Sequence, residues 1–147
     1  MALIAAYDPD GPVAITTVAE LDAVVDQVVG WGHRAVVELK IARPVEPRGR
    51  QLSLTVGIHG AAGLGTLIYS SPDGVWFGKA TPGPEWAEVD ERVLYFLMSA
   101  DTEYPPESEI PLDVVRRAAQ EYWHGGGSRP GGVGWCAPPP WYPTAFR

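Results

Sequence analysis

Leu52, Leu54, Val56 and Ile58 alternate with Ser53, Thr55 and Gly57. A period of two puts one set on one side of an extended chain, so this segment reads as a strand with one buried face. It comes with its own punctuation. Gly60 to Gly63 makes a turn, and Leu64 to Ser70 returns as a second strand. Ser71-Pro72-Asp73-Gly74 is a hairpin turn, because Pro presets φ and Gly takes a positive φ, and Val75-Trp76-Phe77 continues beyond it. Ala35 to Ile41 reads as a strand just before this series. Three or four strands in succession therefore predict an antiparallel meander. Ala2 to Ala6 is a short strand before the turn cluster Asp8 to Pro12. Val93 to Met98 is apolar without interruption, which predicts a central strand covered on both faces.

Two segments carry a helical period instead. Thr17 and Glu20 have capping-box spacing, and Leu21, Val24, Val25, Val28 and Val29 form one stripe that ends at Gly30 and Gly32. Valine is a weak helix former, so this helix depends on packing. The second helix is predicted from Pro111, favoured at a first helical position, with Leu112, Val115, Ala119, Tyr122 and Trp123 on its apolar side. Asp113 faces Arg116 and Arg117 at i+3 and i+4, and Gly125 to Gly127 closes the helix. Val133-Gly134-Trp135 adds a last short strand. This order implies an α+β fold: a mainly antiparallel sheet of about 5–7 strands with two principal helices. Residues 1–136 are expected to form one domain, and 137–147 a Pro- and aromatic-rich extended tail.

The formal charge of −7 over 147 residues makes the chain a poor binder of nucleic acid, which requires clustered Lys and Arg. Its distribution is more informative. Nine acids and one base, Arg92, lie between Glu85 and Asp113, a local balance of −8. Arg34, Lys40, Arg43, Arg48 and Arg50 form an opposing basic cluster. One reading of the acids is a solvated, solubilising face. The other is a surface that mimics nucleic-acid phosphates and docks on a basic protein, where steering speeds association. Such an interface also needs buried anchors, and Trp86 and Tyr104 lie within the acidic stretch.

The single cysteine, Cys136, forbids an intramolecular disulfide and fits a reducing cytoplasm. Met1 to Tyr7 has no basic lead-in, so no signal peptide is expected, and no apolar run is long enough for a membrane span. Chemistry is thinly represented. Glu38-Leu39-Lys40 matches the ExK element of metal nucleases but lacks a second carboxylate beside it. His124-Gly125-Gly126-Gly127 matches an esterase oxyanion element without the Ser elbow that must accompany it, so a helix cap explains it better. His33, His59 and His124 have no ligand spacing, and no cofactor or metal is expected. Cys136 has no neighbour in sequence to activate it. No enzyme is expected.

Several short motifs do form a pattern. Leu54-Thr55-Val56-Gly57 is followed by Tyr69-Ser70-Ser71-Pro72-Asp73-Gly74 and by Gly78. Ile110-Pro111-Leu112 opens the second helix, then come Arg129-Pro130 and Val133-Gly134-Trp135. Over roughly Ala35 to Trp135 the chain resembles the Imm1 family of bacterial immunity proteins. The long glycine run 125–127 and the aromatic tail depart from the pattern. The resemblance implies a small cytoplasmic protein that binds and neutralises a toxin, often a nucleic-acid deaminase and sometimes a nuclease, by occluding its active site or substrate groove. The expected partner is a cognate toxin domain, with no direct nucleic acid and no membrane.

The expected contact residues are Glu85, Trp86, Glu88, Asp90, Glu91, Asp101, Glu103, Tyr104, Glu107 and Glu109. Reversing Glu103, Glu107 and Glu109 to Lys is expected to slow association and leave folding intact. The alternative function is a stand-alone small-molecule or peptide-binding domain with an aromatic-lined pocket.

Overall fold

The strand predicted from the Leu52–Ile58 alternation is present as β4 (Ser53–His59), at the middle of a ten-stranded sheet. A computed structural model describes residues 2–7, 11–41, 52–79, 86, 91–97 and 100–142. The elements in chain order are β1 (Leu3–Ala6), β2 (Val13–Ile15), α1 (Val18–Trp31), β3 (Arg34–Ile41), β4, β5 (Leu64–Ser71), β6 (Gly74–Lys79), β7 (Val93–Leu97), β8 (Ala100–Tyr104), β9 (Ile110–Pro111), α2 (Leu112–His124) and β10 (Gly134–Cys136). The main path runs β10-β6-β5-β4-β3-β1-β2. The stretch β3-β4-β5-β6 is the expected antiparallel meander.

The strand count exceeds the 5–7 expected, because short and acidic strands carry little local signal. β2 has three residues, β9 has two, and β8 is Ala-Asp-Thr-Glu-Tyr. Each is held by pairing with a neighbour and not by its own period.

The pleat divides the molecule into two cores. Leu54, Val56 and Ile58 of β4, with Val37 and Leu39 of β3 and Leu67 of β5, point toward both helices. Leu21, Val24, Val25 and Val28 of α1 and Val115, Ala118, Ala119 and Tyr122 of α2 cover them. Thr17 caps α1 as its spacing predicts. Its hydroxyl accepts from the Glu20 N–H at 3.1 Å, and the Glu20 carboxylate accepts from the N–H of Thr16 at 3.1 Å. Pro111 sits at the N-cap of α2, one step earlier than expected, because Ile110–Pro111 pairs with Leu64–Gly65. Arg117 reaches Asp113 as predicted. Arg116 instead bridges to Asp22 and Asp26 of α1, so it ties the helices together.

The opposite face carries Val36, Ile68, Phe77, Tyr95, Tyr104 and Cys136. It is closed by the β7–β8 ribbon and by the start of the tail. β7 pairs with β3 in parallel at one position, Ala35 with Phe96, and with β8 in antiparallel register along its length. The ribbon then curls over the second face. Tyr104 thereby reaches Phe77 with ring centroids 6.0 Å apart, and Tyr95 at 5.2 Å.

The expectation that Val93 to Met98 is covered on both faces is corrected here. Tyr95 is fully buried, but Leu94 and Phe96 are 38% and 42% exposed. An uninterrupted apolar run has no period to distinguish inside from outside. The turn at Asp8–Asp10, the loop 42–51 with Arg43, Arg48 and Arg50, and the tail beyond Tyr142 lie outside the described residues.

Candidate functional site

Two of the acids that the sequence singles out, Glu107 and Glu109, engage the second face. Its geometry starts with a missing side chain. A Cβ at Gly57 would overlap Thr66 Oγ1 and stand 2.9 Å from the Tyr95 ring, so glycine there opens the sheet surface for the tyrosine. The Tyr95 hydroxyl donates to Glu109 at 2.7 Å. Arg34 donates to the same carboxylate from Nε at 3.3 Å and stands over the Tyr95 ring. His59, paired with Arg34 across β3 and β4, has its Nδ1 4.0 Å from Glu109.

The Glu109 side chain is only 12% exposed. Its pair with Arg34 holds the guanidinium even more firmly protonated than usual. Burial first, then the neighbouring Glu109 carboxylate, pushes Tyr95 well above the ordinary phenol range. The cluster therefore joins the ribbon to the sheet by charge-assisted hydrogen bonds.

A second connection lies beside it. Lys79, 8% exposed, pairs with Glu107 at 3.6 Å and stands over the Trp86 indole at 5.0 Å. Trp86 donates its indole N–H to the Ala137 carbonyl at 2.9 Å and packs edge-on against Phe77. Tyr142 also packs edge-on against Phe77, and Arg92 stands 4.2 Å over the Trp141 ring while pairing with Glu103. The described tail thus lies against the second face.

The ten expected contact residues separate accordingly. Glu91 and Glu103 are exposed at the start of β7 and on β8. Asp101 lies on β8, opposite Phe96 in the register. Glu107 and Glu109 are engaged with Lys79 and Arg34. Trp86 is a half-buried ring that straps the tail. Tyr104 is fully buried and belongs to the core, which corrects its expected place as a surface anchor. Glu85, Glu88 and Asp90 lie outside the described residues.

Reversal of Glu109 to Lys is accordingly not neutral for folding, because it would set a cation beside Arg34 and remove the acceptor of Tyr95. The sequence places Arg34 in an opposing basic cluster but does not reveal that Arg34, His59, Tyr95 and Lys79 meet Glu109 and Glu107. Arg34 and Glu109 are 75 residues apart, and no local spacing announces such a pair.

The aromatic rings that would line a small-molecule pocket pack against one another instead, as in the Phe77, Trp86, Tyr104 and Tyr142 group. Glu38 and Lys40 pair with each other at 2.8 Å. Among the described residues no three or more His, Cys, Asp or Glu side chains are grouped to hold a metal ion. The His124–Gly127 segment is a helix terminus, with Gly126 and Gly127 at positive φ and the Gly125 N–H bonded to Glu121 O. Cys136 is buried, and burial raises its thiol pKa, away from reactivity. No helix among the described residues is long and apolar enough to cross a membrane.

A search of curated proteins finds no match to this chain. The profile of the family described as Immunity protein Imm1 matches residues 9–137 of the 147, a span that contains both helices and nearly the whole sheet. Such a family implies a cognate toxin as partner and an inhibitory role. The chain belongs to the Imm1 family of immunity proteins.

Proposed function

We propose that the toxin this chain neutralises acts on nucleic acid, a deaminase before a nuclease, and that the chain blocks it in the cytoplasm by covering its active site or substrate groove. The acidic stretch carries this reading. Nine of the 18 acids lie between Glu85 and Asp113. Internal pairing with Arg34, Lys79, Arg117 and Arg92 engages Glu109, Glu107, Asp113 and Glu103. Glu91, Glu103 and Asp113 are exposed to solvent. A toxin that handles nucleic acid must present Lys and Arg to phosphates, and a deaminase adds a pocket for its target base. An acidic protein seated there keeps substrate out and performs no chemistry of its own.

The test is co-expression with candidate toxin domains encoded near this chain. Growth should be rescued, and purified chain should stop the toxin's action on DNA or RNA. Base conversion read by sequencing identifies a deaminase, and strand breaks on a gel identify a nuclease. A toxin that attacks neither nucleic acid would overturn the reading.

A further inference from the structure

Among the described residues three large apolar side chains are exposed: Val13, Leu94 and Phe96. Single exposed apolar residues are ordinary on protein surfaces. Leu94 and Phe96 are different because they stand two positions apart on β7, on the side of the ribbon turned away from Tyr95. Acidic positions frame them. Glu103, paired with Arg92, is the cross-strand partner of Leu94, Asp101 stands opposite Phe96 in the backbone register, and exposed Glu91 precedes the strand, so acids outnumber bases there.

From this we infer that the outer face of the β7–β8 ribbon is the docking centre for the toxin, with Leu94 and Phe96 as its anchors and the acids as its rim. An apolar centre enclosed by a charged rim is the usual anatomy of a protein interface. The inference rests on the function proposed above and names the surface that performs it.

The backing of the ribbon is what makes the face usable. Tyr95 between the two anchors is held by Glu109, which is held in turn by Arg34. Tyr104, at the far end of β8, is wedged against Phe77 and Tyr95. The anchors are thus presented on a fixed support, and binding pays little ordering entropy.

Charge selects the occupant. A second copy of this chain would lay the same acidic rim against itself, as a two-fold interface requires, and like charges oppose that. The basic substrate surface of a nucleic-acid-acting toxin fits, with Lys and Arg against the rim and an apolar patch for Leu94 and Phe96.

The experiment titrates the toxin domain that the co-expression test identifies with four forms of the full chain. These are the unaltered protein, the pair Leu94→Asp/Phe96→Asp, the milder pair Leu94→Ala/Phe96→Ala, and Arg117→Ala on the exposed side of α2. The unaltered chain should bind and neutralise. The Ala pair should weaken binding by about 30-fold or more, the Asp pair should abolish it, and Arg117→Ala should stay within about threefold. Circular dichroism and thermal unfolding should be unchanged throughout.

If the Asp pair unfolds the chain, the Ala pair, which adds no charge, decides. If either folded pair still binds like the unaltered chain, the docking face is wrong and the immunity function stands. Failure of the unaltered chain to bind or neutralise overturns the functional reading and this face with it. A dimer of the chain in ultracentrifugation that the Asp pair dissolves would assign the face to a second copy and overturn the inference.

Discussion

The two faces of the sheet are built from different materials. The helix-covered face is the larger core, mainly aliphatic at its centre with Trp31, Trp76, Trp123 and Trp135 at its margins, and its Tyr69 and Tyr122 hydroxyls donate to the carbonyls of Gly127 and Leu52. The other face is smaller and carries charge, with Arg34, Glu109, Lys79 and Glu107 paired among its aromatic rings. Among the described residues, His59 Nδ1 is buried there 4.0 Å from Glu109, and the Thr66 and Tyr104 hydroxyls are buried beside each other; on the helical side Trp123 Nε1 is buried on α2. The helical face is the larger core, and the second face is the smaller one, where the ribbon is held in one position.

The largest test of this division is Leu54→Ala. Leu54 is fully buried under the helices, and its truncation should cost about 2–5 kcal/mol in urea unfolding. Toxin affinity of the folded fraction should not change. An equal loss of affinity would mean that the two faces do not act separately.

Glu109→Lys acts on the other face. It breaks the link from Arg34 to Tyr95 and should cost about 2 kcal/mol, a figure already lowered for the partial exposure of Arg34. Unlike Leu54→Ala it should also weaken binding, because the ribbon loses its tie. Gly57→Ala should cost about 1–3 kcal/mol by pressing on Thr66 and the Tyr95 ring, and should change the near-UV tyrosine signal. A variant as stable as the parent would show that the ring can move aside.

Alkaline pH probes both faces together. Tyr69, Tyr95, Tyr104 and Tyr122 all ionise less readily when folded, with burial the first cause in each. A raised folded pKa means that the folded state holds more protons above the unfolded value. Stability is then complete below about pH 10 and falls as pH rises beyond it, by up to about 1.4 kcal/mol per pH unit for each tyrosine. Tyr95→Phe should flatten that fall in unfolding curves between pH 9 and about pH 11. The smallest effect is expected from Leu94→Ser, within about 0.5 kcal/mol of the parent, because the side chain faces water. A larger loss would place Leu94 in the core and weaken its assignment as an anchor.

Much of the fold was legible in the sequence because its signals are local. The alternation around Leu54, the Pro72–Gly74 turn, the Thr17 cap and the glycine terminus of α2 each depend on residues a few positions apart. The short strands β2, β8 and β9 were not legible, since they exist only through their partners. The site was half legible. Charge counting found the acidic stretch but could not tell that Glu107 and Glu109 are engaged by Lys79 and Arg34. It found Tyr104 but not its burial. It passed over Leu94 and Phe96 because in Val-Leu-Tyr-Phe-Leu every side chain is apolar, whichever way it points.

What the sequence determined by itself is the α+β architecture, the central meander, the position of the acid and the resemblance to immunity proteins. Period, turn chemistry and composition act within a few residues or not at all. What only the tertiary structure decided is which side of β7 meets water and which acids remain exposed. Both depend on how the ribbon folds back over the sheet, and that is set by contacts such as Arg34 with Glu109 and Phe77 with Tyr104 between distant parts of the chain.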